Sequence, residues 1–223
     1  MLPRKMEQRM NKDREGVLTI ISGFSGSGKG TVVKELLGKH PDRLRLSVSA
    51  TTRLPRPGDV EGVDYFFLTR EKFEDMIRSD MLLEHASYVG NYYGTPRAYV
   101  EECLDQGYDV ILEIEQQGAF QVKKAMPGAL LVFLAPPSAQ ELEQRLRRRD
   151  TETEQQISDR LCAAAGEAAQ ISRYDYFVVN DDVSICADEI YKIIEAEHCR
   201  TAFNIQKMTQ LQNDLQKYRK EDQ

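Results

Sequence analysis

The sequence lacks the long apolar segments of membrane and secreted proteins. None of its apolar runs approaches the roughly 20 residues that a helix needs to cross a bilayer. Its first residues contain no apolar core of the kind found in signal peptides. We therefore expect a cytoplasmic protein with no membrane partner.

Cysteine and histidine are scarce, and neither has the spacing of a metal site. The three histidines stand far apart, at positions 40, 85 and 198. The four cysteines include no CxxC pair and are Cys103, Cys162, Cys186 and Cys199. This arrangement gives little support to a zinc site, and we expect the cysteines to be reduced, packed thiols.

An excess of positive charge is missing as well. The chain has 30 lysines and arginines against 36 aspartates and glutamates, which gives a net charge of −6. A negative balance argues against a nucleic-acid partner, so any positive charge that holds a phosphate must be local. The 223 residues are enough for one α/β domain with a lid, or for two small domains.

One glycine-rich stretch has the spacing of a phosphate-binding loop. The pattern Gly23-x4-Gly28-Lys29 follows an apolar, strand-like run and precedes a helix-like run. In such a P-loop, glycines let successive backbone N–H groups face phosphate oxygens, and the lysine adds a full charge. The candidate nucleotide-binding residues are Gly23, Phe24, Ser25, Gly26, Ser27, Gly28, Lys29, Gly30 and Thr31.

Two other interpretations fit this stretch less well. A chance turn of glycine and serine is disfavoured by the strand-like run before it and the apolar periodicity after it. A dinucleotide-binding loop would need a small residue where Thr31 stands, and it would leave Lys29 without a role. Gly30 departs from the usual P-loop, because a Ser or Thr hydroxyl normally stands there and helps to hold Mg²⁺.

Strand-like and helix-like segments alternate along the chain. We predict strands at 17–22, 63–68, 82–89, 91–95, 110–115, 130–134 and 176–180, with a strand-like start near 46. We predict helices at 29–39, from 69, at 95–106, from 138, around 160 and from 188 onward. The alternation predicts a doubly wound parallel sheet, and the short strands before residue 96 predict a small β insertion beside it.

Several separated motifs occur in one order along the chain. They are the P-loop, Ser47-Val48-Ser49-Ala50-Thr51-Thr52-Arg53-x-Pro55-Arg56, Gly62-x-Asp64-Tyr65, Gly90-Asn91-Tyr92-Tyr93-Gly94, Ile114-Glu115-x-Gln117-Gly118 and Thr151-Glu152-Thr153. Through these motifs, over residues 17–198, the chain resembles the guanylate kinase family, and its bacterial members most closely.

The resemblance implies both a fold and a reaction. The fold would be α/β, a P-loop NTPase-type doubly wound parallel sheet with a small GMP-binding β insertion and a helical lid. The reaction would transfer the γ-phosphoryl group of MgATP to GMP, giving GDP and ADP, as part of purine nucleotide metabolism. ATP and GMP would be the partners, and Mg²⁺ the cofactor.

The resemblance also implies a division of the chain. We expect an N-terminal extension at 1–16, core segments at 17–48, 96–140 and 166–200, a GMP-binding subdomain at 49–95, a lid at 141–165 and a helical tail at 201–223. The tail carries apolar residues at helical spacing, so it would pack on the domain or on a second copy in a homo-oligomer.

The implied GMP site suits the chemistry of its ligand. Guanine presents neighbouring N–H donors that one carboxylate can accept together, so Glu84 would read the base. Arginine forks bind phosphate oxygens in pairs, as Arg53 and Arg56 would do. The full set of implied GMP-binding residues is Ser49, Arg53, Arg56, Tyr65, Glu84, Tyr93, Thr95, Glu113 and Glu115.

Catalysis would depend on positive charge around the transferring group. Phosphoryl transfer needs alignment and charge neutralisation, which a P-loop lysine and lid arginines supply. The implied catalytic residues are Lys29, Arg145, Arg149 and Arg160, and Asn180 would lie near the adenine of ATP. Mg²⁺ would be held mainly by ATP oxygens and water, with Thr31 or Glu113 as the protein groups able to help.

Rival functions fit part of the pattern. A non-catalytic guanylate-kinase-like domain would bind protein partners, but such domains typically have a degraded P-loop, and Lys29 is intact. A kinase for another nucleoside monophosphate is favoured by Gly30-Thr31, which resembles adenylate kinase loops, and disfavoured by Glu84. A regulatory nucleotide sensor is a third and more distant alternative.

Overall fold

The structure is a computed structural model that describes residues 15–148 and 153–219. In chain order, these residues form β1 (Leu18–Gly23), α1 (Lys29–Lys39), β2 (Leu44–Leu46), β3 (Ala50–Thr51), β4 (Phe66–Phe67), α2 (Arg70–Arg78), β5 (Leu82–Tyr88), β6 (Asn91–Pro96), α3 (Arg97–Asp105), β7 (Asp109–Glu113), α4 (Gln116–Ala125), β8 (Leu130–Ala135), α5 (Ala139–Arg147), α6 (Glu154–Ala168), β9 (Tyr176–Val179), α7 (Val183–Glu197) and α8 (Ile205–Gln216).

A parallel sheet with the order β2-β7-β1-β8-β9 forms the core. Its central strands are apolar and buried on both faces, as parallel strands covered by helices must be. Helices α1 and α7 cover one face through Leu36 and Ile190, while α3 and α4 cover the other through Val100 and Val122. The predicted doubly wound α/β fold is confirmed.

A second, smaller sheet has the order β4-β3-β6-β5. The predicted hairpin at 82–95 is present as β5 and β6, with a turn at Val89 and Gly90. The strand predicted over 63–68 is confined to Phe66–Phe67. Residues 60–65 turn instead, because the amides of Val63 and Asp64 both donate to the carbonyl of Val60.

The chain after β7 differs from the prediction. The strand ends at Glu113, two residues early, and Glu115 becomes the residue that precedes α4. Two residues that are two positions apart in a strand lie on one face, and this spacing predicts that Glu113 and Glu115 share a face. That prediction does not hold, because only Glu113 belongs to the strand. The sequence patterns did not predict α4, and α7 begins at Val183 rather than near 188 because Asp182 caps it.

Several contacts anchor the N-terminal edge of the main sheet. Asp109 is fully buried and accepts hydrogen bonds from the amide of Val17 (2.9 Å) and from Nε2 of His198 (2.8 Å). Glu195 lies within 4.8 Å of both side chains and pairs with Arg43 at 3.9 Å. These contacts tie the end of α7 to the sheet, at the edge opposite the P-loop.

Two further expectations need correction. Cys186 is buried and Cys103 is half-buried, but Cys162 and Cys199 are exposed, so the cysteines are not uniformly packed. Gly16, which is predicted to belong to the N-terminal extension, donates its amide to Leu104 (3.0 Å) and packs against the domain. The remaining division into segments stays a prediction.

Across residues 15–148 and 153–219, every helix is too short or too polar to span a bilayer.

Candidate functional site

The P-loop folds around two glycines whose backbone conformation other residues adopt only with strain. Gly26 and Gly28 both have φ of 92°, in the left-handed region that favours glycine. A Cβ atom at Gly28 would lie 2.5 Å from Nδ2 of Asn180, and one at Gly26 would lie 2.9 Å from Cδ2 of Leu146. Gly28 caps α1, so the positive end of that helix points at the loop.

Lys29 reaches back across the loop that precedes it. Its Nζ atom donates to the backbone carbonyls of Gly23 (2.6 Å) and Phe24 (3.1 Å). The ammonium group therefore lies against the start of the loop, in the lining of the neighbouring cleft. Thr31 is exposed in the first turn of α1.

Asn180 and Arg145 support the loop through one shared carbonyl. Asn180 is 2% exposed and donates from Nδ2 to the Ser27 carbonyl at 2.8 Å. Arg145 donates to the same carbonyl (3.3 Å), to the Asn180 carbonyl (2.9 Å) and to Glu141 (2.8 Å). The predicted roles of Asn180 near adenine and of Arg145 in catalysis stay predictions, because both side chains here are engaged in holding the loop.

Helices α5 and α6 form a pair beside the P-loop. Phe24 packs against an apolar cluster that these helices share, which includes Leu142 and Ile157. Arg160 on α6 donates from Nη1 to Oγ of Ser25 at 3.1 Å, so one predicted lid arginine does reach the loop. Arg149 lies outside the described residues.

Carboxylates line a cleft of about 230 Å³ next to Lys29. The lining residues are Gly23, Ser25, Lys29, Glu113, Ile114, Glu115, Gln116 and Glu167. Although Glu113 reaches solvent, surrounding protein atoms raise the pKa of its carboxyl, and the charge of Lys29 partly opposes this. Burial and the neighbouring Glu115 likewise raise the pKa of Glu167.

The donor set of this cleft fits a hard divalent cation. Mg²⁺ prefers carboxylate oxygens combined with phosphate oxygens and water. The carboxylate oxygens of Glu113 lie 3.5 and 3.7 Å from the point where a Cβ atom of residue 30 would stand. The absence of a side chain at Gly30 thus leaves a carboxylate facing the position where P-loops usually present a hydroxyl.

Glu84 is the most deeply placed carboxylate among the predicted GMP-binding residues. It is 7% exposed and accepts a hydrogen bond from Oγ1 of Thr95 at 2.8 Å. Burial raises the pKa of Glu84, while hydrogen bonds from Thr95 oppose the shift. Oε2 would lie 3.1 Å from a Cβ atom at Gly118, so the glycine of α4 makes room for this carboxylate.

The loop after β3 holds its arginine against an acid that the sequence reasoning missed. Arg53 pairs with Asp59 at 2.8 Å, and its guanidinium carbon lies 5.3 Å from the ring centre of Tyr65. The backbone amide of Arg56 and the side chain of Arg53 together lower the pKa of Asp59. An acid six residues after an arginine in a proline-rich loop is a signal that could have identified this pair.

The remaining predicted GMP-binding residues belong to the same small sheet or its borders. The rings of Tyr65 and Tyr93 lie edge to face with centres 6.0 Å apart. Ser49 is half-buried just before β3, and its carbonyl accepts from the amide of Phe66 at 2.9 Å. The side chain of Arg56 is exposed.

The sequence reasoning also missed Gln116 and Glu167. The side chain of Gln116 donates a hydrogen bond to the Glu167 carbonyl at 3.1 Å.

Comparisons with known proteins agree on one family. The family model described as guanylate kinase matches residues 15–197. The guanylate kinase of Streptococcus thermophilus (strain CNRZ 1066) is 54% identical over 185 residues, which cover 83% of this chain and 88% of that protein. The guanylate kinase of Bacillus anthracis is 54% identical over 189 residues, which cover 85% and 92%.

A solved structure gives the same result. The crystal structure of guanylate kinase from Anaplasma phagocytophilum matches with a TM-score of 0.68 and 33% sequence identity. The match covers 94% of this chain and 98% of the solved one.

Proposed function

This chain belongs to the guanylate kinase family and transfers a phosphoryl group from ATP to GMP, and we propose that the cleft beside the P-loop takes the ATP phosphates while the small sheet takes GMP. Lys29 and the loop amides bind the β and γ phosphates. Glu84, Thr95 and Ser49 bind guanine, and the arginines of the loop after β3 bind the GMP phosphate.

The first turn of α4 is the observation that carries this division. Gln116 lines the cleft that contains Lys29, whereas Gly118, two residues later, faces the carboxylate of Glu84. A single rigid turn therefore borders both sites. An acceptor read by Glu84 would have its distal end free to extend toward the phosphates at Lys29.

Glu84 discriminates guanine from adenine by the direction of its hydrogen bonds. Two N–H donors of guanine satisfy the carboxylate, but adenine presents an acceptor at the corresponding ring nitrogen and would leave the charge unpaired. Sites that depend on such bonds reject the wrong ligand by roughly 10⁴-fold or more, because the buried polar group then lacks a partner.

Transfer of the γ-phosphoryl group requires that the two nucleotides be aligned and that their phosphate charge be neutralised. An oxygen of the GMP phosphate attacks the γ-phosphorus in line, and since that oxygen is already ionised no general base is needed. Arg160 and Arg149 neutralise charge on the transferring group, and closure of α5 and α6 excludes water that would hydrolyse ATP. Mg²⁺, when bound, neutralises charge on the β and γ phosphates; Glu113 and Thr31 would help to hold it.

Separate calorimetric titrations with MgATP and with GMP test the division. We expect Lys29→Ala to weaken MgATP binding at least tenfold and to leave GMP binding unchanged. Glu84→Ala should do the reverse. Lys34→Ala is the matched control for Lys29, because Lys34 is an exposed lysine of the same helix. If Lys29→Ala weakened GMP binding as strongly as MgATP binding, the proposed division would be wrong.

A further inference from the structure

The loop after β3 holds its first arginine, Arg53, from several sides. Nη2 of Arg53 donates to Oδ2 of Asp59 at 2.8 Å, and Nη1 donates to the Leu54 carbonyl at 2.9 Å. The guanidinium carbon lies 5.3 Å from the ring centre of Tyr65 and 5.7 Å from that of Phe67. An acid, a carbonyl and two rings therefore restrict a side chain that otherwise has many rotamers.

Asp59 is itself placed by a tight turn. Its amide donates to the Arg56 carbonyl at 3.0 Å, which closes a β-turn. Pro57 and Gly58 are the two central residues, and Gly58 has φ of 97°. Proline followed by a glycine of positive φ is typical of a type II turn. The amide of Arg56 donates back to Oδ2 of Asp59 at 2.8 Å, so one carboxylate oxygen binds the side chain of Arg53 and the backbone of Arg56.

We propose that Asp59 is a positioning residue for GMP, and that it holds the two arginines of this loop in the arrangement that binds the GMP phosphate. This role depends on the function proposed above, in which Arg53 and Arg56 receive that phosphate. Asp59 and Leu54 engage two of the five guanidinium N–H groups of Arg53. Among the described residues, the other three N–H groups remain for phosphate oxygens.

The carboxylate of Asp59 has two opposing effects on a bound phosphate. Its negative charge repels the phosphate, but the side chain is 20% exposed, and water and salt screen the repulsion. Holding Arg53 in one rotamer lowers the entropy that the side chain loses on binding, which is equivalent to roughly 3- to 10-fold in affinity. The fixed amide of Arg56 adds to this gain. We therefore expect the holding effect to be the larger of the two.

The ratio of the dissociation constants of guanosine and GMP measures what the phosphate contributes to binding. Calorimetric titration of the full-length enzyme gives the value for GMP, and displacement of GMP gives the value for guanosine. Asp59→Ala should weaken GMP binding about 10-fold and leave guanosine binding unchanged. Asp59→Asn has the same net charge as Asp59→Ala but keeps an oxygen that both arginines can reach, so it should restore most of the ratio.

Glu61→Ala is the matched control. Glu61 is an exposed acid of the same loop, and its Oε2 accepts from the amide of Phe67 at 3.0 Å. Within the described chain it bonds to no arginine. If acids in this loop only stabilised its backbone, the control and Asp59→Ala would have similar effects; we expect the control to keep the wild-type ratio. Unchanged MgATP binding would show that each variant is folded.

A double variant tests whether Asp59 acts through Arg53. Arg53→Ala alone should lower the ratio more than Asp59→Ala does. Adding Asp59→Ala to Arg53→Ala should cause a further loss of about threefold or less, which is the part that belongs to Arg56. Fully additive losses would show that Asp59 does not act through Arg53 and would overturn the proposal.

Three other results would also overturn it. Asp59→Ala could leave the ratio unchanged, it could raise the ratio because the acid competes with the phosphate, or it could weaken guanosine and GMP equally. Failure of the proposed function is recognised separately. If Arg53→Ala left the ratio unchanged, the GMP phosphate would bind elsewhere, whatever Asp59→Ala did.

Discussion

Replacing Gly118 by alanine places one methyl group against the carboxylate that reads guanine. The new Cβ atom would lie 3.1 Å from Oε2 of Glu84, a few tenths of an ångström closer than an ordinary contact. The carboxylate cannot retreat freely, because Thr95 holds its other oxygen at 2.8 Å. We therefore expect Glu84 to tilt out of line with at least one donor of guanine.

The cost follows from the bond that is lost. A hydrogen bond to a charged group contributes about 1.5–3 kcal/mol. Losing one such bond should raise the KM for GMP by about 10- to 100-fold. The kcat value should change little, since the phosphates are not touched. Folding should not suffer, because alanine is favoured over glycine in a helix by about 1 kcal/mol, which offsets the close contact.

Steady-state kinetics with GMP as the varied substrate measures this effect. Gly38→Ala is the matched control: it is the same substitution in a helix, but no atom of a neighbouring element lies within 4 Å of the new Cβ. The control should gain a little thermal stability and keep its KM. If Gly118→Ala left the KM for GMP unchanged, the base would not be read by Glu84 in the position described.

Other predictions follow from single features of the structure. Since burial raises the pKa of Glu84 from its ordinary value, the KM for GMP should rise with falling pH before ordinary carboxylates titrate, and Glu84→Gln should abolish this rise. The GMP phosphate titrates near pH 6 in assays of the wild type and of Glu84→Gln alike, so the ratio of the two KM values isolates the titration of Glu84. A ratio that does not change with pH would contradict the assignment. Val89 is 79% exposed with φ of 47°, which is costly for a β-branched residue, so Val89→Asn should stabilise the fold by about 1 kcal/mol. A fall in Tm on thermal unfolding would refute that explanation.

Local signals predicted correctly that a strand, a glycine loop and α1 follow one another here. A buried strand, glycines and a helix start are consecutive in sequence, and α1 runs from Lys29 to Lys39 as expected. The hairpin of β5 and β6 was predictable for the same reason. Its strands, turn residues and partner register all lie within 15 residues.

Features that depend on distant neighbours could not be predicted. The sequence shows Gly118 but not that Glu84, from a strand of the small sheet, fills the space beside it. It shows Asn180, but not that the Asn180 side chain is buried and donates a hydrogen bond to the Ser27 carbonyl of the P-loop. Glu115 looked like a strand residue because alternation cannot distinguish a strand end from the residue that precedes a helix.

The acceptor profile tests most directly whether Glu84 selects the base. The wild-type enzyme is assayed with MgATP and either GMP or AMP, and kcat/KM is compared. We expect kcat/KM for GMP to exceed that for AMP by about 10⁴-fold, and Glu84→Gln to reduce this ratio by lowering the GMP value. Equal or faster turnover of AMP would contradict this role of Glu84, because the buried carboxylate bonded to Thr95 would then not select the base.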